Sequence, residues 1–222
     1  HLVSVRERML VDGKMLDEKS WATLANAVFA KFPPASQLTY FELLTVMAAV
    51  GFKALGCEVV VFEAGLGGTY DATTALSAQM SIVTSIDLDH TSILGGDRKT
   101  IARDKAGSLR PGTPVISSPQ PAEVMAVLED RARELECAFV RAGDLADLPE
   151  VDLGPAHSFQ RKNAKLALAA GRKILRGKRM DIKPELEAQV LEKTIIPGRF
   201  ELRGGQPFAI LDAAHNAHGL DA

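Results

Sequence analysis

Two apolar runs in this chain end on side chains that can hold a metal. Val59 to Phe62 is followed at once by Glu63, and Ser81 to Ile86 is followed by Asp87-Leu88-Asp89-His90. Open parallel sheets collect their ligands outside the carboxyl ends of the strands, so Glu63 and the Asp87 to His90 turn are expected at one functional edge. A strand-end carboxylate meets phosphate-bound magnesium there without side-chain strain. The competing reading makes Glu63 a helix-capping or solvent-facing residue. His90 as a neutral imidazole suits a metal, with Asp87 or Asp89 orienting it, or else it is a loop histidine bonded to a nearby carbonyl. Magnesium prefers oxygen, so an imidazole in the set would favour manganese as a substitute.

Gly65, Gly67 and Gly68 form a G-x-G-G turn directly after Glu63. This is not the six-residue dinucleotide fingerprint, and the phosphate loop ending in Gly-Lys-Ser/Thr occurs nowhere in the sequence. The turn serves either close backbone approach to a substrate or a tight strand exit. Lys105 lies within Ala-Arg-Asp-Lys-Ala-Gly. A free lysine has a pKa of about 10.4, so roughly one in a thousand is neutral near pH 7. Burial beside a metal would favour the neutral amine or its carbamate, and otherwise Lys105 is a surface lysine on an amphipathic helix. Asn163, Arg199, Asp212 and His215 stand at element boundaries. Arg199 follows Pro-Gly, which can present a guanidinium to phosphate, and Asp212 ends an apolar run as Glu63 does.

The elements that must position these residues alternate. Leu2 to Val11 resembles a strand entering the turn Asp12-Gly13, Asp17 caps a helix from Glu18 to Phe32, and Thr39 opens an apolar helix through Leu55 that should be buried against a sheet. Val59 to Phe62 and Ser81 to Ile86 lack polar alternation, as strands covered on both faces do. Next come a helix from Thr100 to Leu109, a strand from Pro114 to Ser118, a helix from Ala122 to Leu135 and a strand from Ala138 to Arg141. Asp144 to Pro155 reads as a loop. Helices come after it at Phe159 to Leu175 and Pro184 to Lys193, then short strands at Phe200 to Arg203 and Phe208 to Leu211. The pattern predicts an α/β fold with a mostly parallel sheet flanked by helices.

The 222 residues carry a formal net charge of -2 with acids and bases evenly mixed, so no basic face points to nucleic acid. No apolar run reaches the ~20 residues of a membrane span. Cys57 and Cys137 form neither a zinc spacing nor a disulfide framework, and a reducing, cytoplasmic setting is the default expectation. A strand pattern beginning at once and a sequence stopping where a helix should start give the expectation of a segment from the middle of a longer protein.

Together, HLVSVRERMLVDG, the Tyr40-Phe41-Glu42 helix start, VVVFEAGLGGTYDATT, SIVTSIDLDHTSILG, IARDKAGSLRPGTPVI, the Asn163 helix, PGRFE and ILDAAHNAHG resemble the folylpolyglutamate synthase and dihydrofolate synthase family, relatives of the Mur peptide ligases. The resemblance implies a phosphate-loop-type central domain over 1–198, without that loop, then a linker and the first strand of a Rossmann-like C-terminal domain over 199–222. It implies Glu63, His90 and Lys105 as magnesium-site residues, Lys105 as a carbamate. It places Asn163, Arg199, Asp212 and His215 at the nucleotide, and His1, Asp71 and Thr73 near the substrate. The implied reaction uses ATP to phosphorylate a carboxylate of dihydropteroate or a folate, whose acyl phosphate the amine of L-glutamate then attacks. The implied partners are small molecules acting on a monomer, and the chain alone is expected not to turn over ATP. Alternatives are a Mur-type ligase of cell-wall synthesis and a binding protein that kept the fold without catalysis. The chain departs from the family at Thr69 and Thr74, where Arg and Asn are common, and at Ala213 and Ala217, where Gly and Pro are usual.

Overall fold

In a computed structural model of the chain, which describes residues 1–33, 37–144, 149, 151, 153 and 157–214, the backbone gathers into two compact units. The first comprises His1–Leu66 and Tyr70–Leu76, and the second comprises Gly67–Thr69 and the chain from Ser77 onward.

In the first unit the opening alternation is not a strand. Val5–Arg8 is a 3-10 helix, because Ser4 and Glu7 form a capping box and the Glu7 carboxylate accepts the Leu2, Val3 and Ser4 amides at 2.6, 2.9 and 2.7 Å. Only β1 (Leu10–Val11) is strand, pairing antiparallel with β2 (Lys14–Met15) around Asp12 and Gly13, both at positive φ. Asp17 caps α1 (Glu18–Phe29), which stops before the expected Phe32. Thr39 and Glu42 form a second capping box on α2 (Tyr40–Ala54). The two helices pack together, and Gly51 permits this: a methyl group there would come within 2.8 Å of both Met9 and Leu24. Burial of α2 is one-sided, since Tyr40 and Val50 are exposed.

The run Val59 to Phe62 is not a strand among the described residues. A strand needs a neighbour to complete its hydrogen-bond ladder, none of the described strands pairs with this run, and Val61 is 78% exposed. Phe62 is nevertheless anchored, edge-on to Phe52 with ring centroids 5.8 Å apart.

The second unit has the expected parallel α/β core. It runs β3 (Ser81–Val83), α3 (Thr91–Leu94), α4 (Arg98–Ala106), β4 (Val115–Ser117), α5 (Ala122–Glu134), β5 (Phe139–Arg141), α6 (His157–Gly177), α7 (Pro184–Lys193), β6 (Glu201–Arg203) and β7 (Ala209–Leu211). Strands β3, β4 and β5 are parallel in that order, with Ile82, Ile116 and Val140 in register. Successive strand residues face opposite sides of a sheet. Val115 accordingly joins Ile101, Val124 and Leu128 from α4 and α5, while Ile116 joins Leu166 and Ala170 from α6. Ile101, Val124 and Leu128 are fully enclosed, each contributing about 1.5–3 kcal/mol by burial. Helix α7 is tied to α6 by Glu187, which is buried and accepts from Arg172 Nε at 2.6 Å; Arg172 holds the Glu187 carboxyl below its ordinary pKa. Strands β6 and β7 form an antiparallel ribbon.

Candidate functional site

The first unit contributes Glu63 and a tightly bonded loop around Asp71. The Asp71 carboxylate accepts the Gly65 and Leu66 amides at 2.8 and 2.9 Å on one oxygen, and the Thr73 amide and hydroxyl at 2.9 and 2.6 Å on the other. Burial alone would raise its pKa, but the Thr73 hydroxyl and the three amides outweigh burial and leave it below the ordinary carboxylate value. Asp71 thus caps the 3-10 helix Ala72–Ala75 and pins the start of the glycine turn. Glu63 is exposed just before that turn. His1 is also exposed, its Nδ1 accepting from Arg8 Nε at 2.8 Å.

In the second unit Gly67-Gly68-Thr69 lies directly on the last turn of α4. The Gly68 amide donates to Asp104 Oδ2 at 2.9 Å, and the Thr69 amide and hydroxyl both donate to the Asp104 carbonyl at 3.0 Å. A Cβ at Gly68 would stand 2.5 Å from the Lys105 carbonyl oxygen, inside contact distance. The close approach that requires glycine here is therefore to the backbone beneath Lys105. Lys105 itself is half-buried in the final turn of α4, where positive charge complements the helix dipole.

His90 starts α3 in the left-handed region, at φ 47° and ψ 39°. Its side chain is 52% exposed, and Nε2 lies 3.9 Å from Asp89 Oδ2, too far for a hydrogen bond. Asp87 accepts Arg98 Nε at 2.7 Å, and Asp97 caps α4 through the Thr100 amide at 3.0 Å. Asn163 is exposed on α6 and Arg199 is exposed after Pro197-Gly198. Asp212 accepts the Phe200 and Ala214 amides, each at 2.6 Å. His215 lies outside the described residues.

Within the second unit, then, Gly67-Gly68-Thr69, Lys105 and the α3–α4 segment are brought together, and Glu63 and Gly65 belong to the first. Among the described residues no three His, Cys, Asp or Glu side chains are grouped as a ready metal cage, and no helix is long and apolar enough to cross a membrane. Sequence reasoning missed two residues. Asp104 was adjacent to a candidate and so within reach, whereas Gln120, which bonds to the loop leading to His90, had no local signal.

No protein-family profile matches the chain. It is 35% identical over its whole length to the dihydrofolate synthase/folylpolyglutamate synthase of Escherichia coli K12, covering 54% of that protein. It is 28% identical to the enzyme of that name from Bacillus subtilis, with 100% of this chain and 58% of the relative aligned. Among solved structures, E. coli FolC in complex with DHPP and ADP aligns with 99% of the chain and 54% of its own at 34% identity and a TM-score of 0.83. Apo L. casei FPGS aligns with 100% and 60% at 21% identity and 0.89, a likeness of fold. The chain spans little more than half the length of the curated relatives it matches, and along that span it is similar to folylpolyglutamate synthases and dihydrofolate synthases.

Proposed function

We propose that this chain is the central part of an ATP-dependent ligase that joins L-glutamate to dihydropteroate, to a folate, or to both. Residues 1–198 form its ATP-binding domain, and 199–222 the linker and start of a C-terminal domain. The observation that carries the proposal is the whole-chain identity of 35% to the E. coli enzyme of that double name. The ADP and DHPP held by E. coli FolC support the same substrate classes here.

Charge dictates much of the chemistry. ATP and a pteroate carboxylate repel one another, so the site must neutralise them while holding the reacting atoms in line. Arg199 is assigned to the phosphates, Asn163, Asp212 and His215 to the nucleotide, and His1, Asp71 and Thr73 to the substrate side. Glu63 and His90 would hold magnesium, or manganese in its place. Their donor chemistry fits, since Glu63 offers an exposed carboxylate and His90 an imidazole Nε2 open to a ligand. When bound, the cation would withdraw charge from the transferring phosphoryl group. Lys105 as a carbamate would put negative charge at the negative end of α4, a placement that a neighbouring cation offsets. The γ-phosphoryl of ATP passes to the substrate carboxylate, the glutamate amine then displaces phosphate, and the products are an amide, ADP and phosphate.

Substitution of Lys105 tests the residue assignment. In the complete gene product Lys105→Ala should lower glutamate ligation by at least a hundredfold, and added formate or acetate should partly restore it by standing in for the carbamate. Unchanged activity in the variant would remove Lys105 from the mechanism.

A further inference from the structure

We propose that the Gln120 carboxamide is a positioning group for His90, clipping the loop that carries it to the end of β4. The backbone from Thr84 to His90 lies outside helix and ladder, so its polar groups need other partners. Gln120 supplies two of them. Its Oε1 accepts the Ile86 amide at 2.9 Å, and its Nε2 donates to the Thr84 carbonyl at 2.8 Å and approaches Ser117 Oγ at 3.2 Å. Exchanging the oxygen and nitrogen would set donor against donor and acceptor against acceptor, so the network fixes the amide's orientation. Ser117 Oγ donates onward to the Ser118 carbonyl at 2.9 Å, and the Ser118 amide to the Val83 carbonyl at 2.8 Å. One side chain thereby staples residues 84–86 to the end of the neighbouring strand, and Ile86 is driven into the core at 3% exposure.

The staple matters because His90 stands four residues beyond Ile86, in a strained conformation. The left-handed backbone of His90 is unfavourable for a residue with a Cβ. Such a conformation persists where its surroundings over-determine it. Gln120 fixes the base of the turn, the Asp87–Arg98 pair its middle, and the Asp89 carboxylate accepts the His90 amide at 2.9 Å. Of these three, Gln120 is the group that ties the turn to the sheet.

The metal role of His90 rests on the ligase reading; its placement by Gln120 does not, and the two are measured separately. Gln120→Met keeps the length and removes both polar atoms, while Gln120→Glu keeps the acceptor for Ile86 and loses the donor to Thr84. In the metal-free protein the ring 1H–13C NMR signal of His90 should shift or broaden in Gln120→Met and move part of the way in Gln120→Glu, which carries the test where the Met variant does not fold. A titration with Mn2+ should show about tenfold weaker binding in Gln120→Met, as for loss of an outer-shell partner. A His90 signal coincident with that of the unaltered protein, even with lowered thermal stability, overturns the proposal. A shifted signal with Mn2+ affinity unchanged in both Gln120→Met and His90→Ala supports the positioning role and overturns the metal reading.

Discussion

Asp71 illustrates how one carboxylate organises its neighbourhood. Its two oxygens take four hydrogen bonds from Gly65, Leu66 and Thr73, which hold its pKa below that of the unfolded chain despite burial. A depressed carboxyl contributes stability that is complete above the unfolded pKa of about 3.9 and is lost as pH falls through the folded value. Asp71→Asn should therefore cost about 1–3 kcal/mol at neutral pH, since one acceptor becomes a donor facing donors. The loss should shrink on acidification toward pH 3. Urea unfolding at pH 7 and pH 3 checks both statements, and a pH-independent loss would mean that the charge of Asp71 is not what holds the loop.

At the scale of elements, the contact of the glycine turn with α4 makes the sharper prediction. Gly68→Ala would drive a methyl group into the Lys105 carbonyl, a backbone atom that cannot swing aside. Overpacking of this kind costs about 1–3 kcal/mol. Gly96→Ala, where a Cβ meets nothing within 4 Å, serves as control. Equal denaturation midpoints for the two variants would refute the close contact.

What the sequence disclosed about these elements depended on how local the cause was. Thr39 with Glu42, Asp17 with Ser20, and Pro184 at the first turn of α7 are short-range signals, and the helices they open begin where expected. The Ser4–Glu7 capping box is equally local, but the apolar alternation around it favours a strand and gave the wrong element. Val59 to Phe62 has a strand's composition, and composition cannot supply a ladder partner. The same distinction governs the candidate site. Glu63, His90 and Lys105 enter the proposal because each sits in an idiosyncratic motif. Gln120 was not legible, because its partners in the loop, Ile86 and Thr84, lie 34 and 36 residues away and nothing beside it in the chain points to them.

Across the whole molecule, three observations support the proposal: a parallel α/β unit, whole-chain similarity to proteins named dihydrofolate synthase/folylpolyglutamate synthase, and coverage of little more than half of those relatives. The central claim is the coupling of ATP cleavage to glutamate transfer. The most direct measurement is ADP release by the complete gene product, with L-glutamate and with dihydropteroate or tetrahydrofolate each omitted in turn, alongside the mass of the product. ADP is predicted to form only when both substrates are present, and the product to gain one glutamyl residue per ADP. ADP release that ignores L-glutamate, or a pteroate or folate whose mass does not change, would contradict the claim.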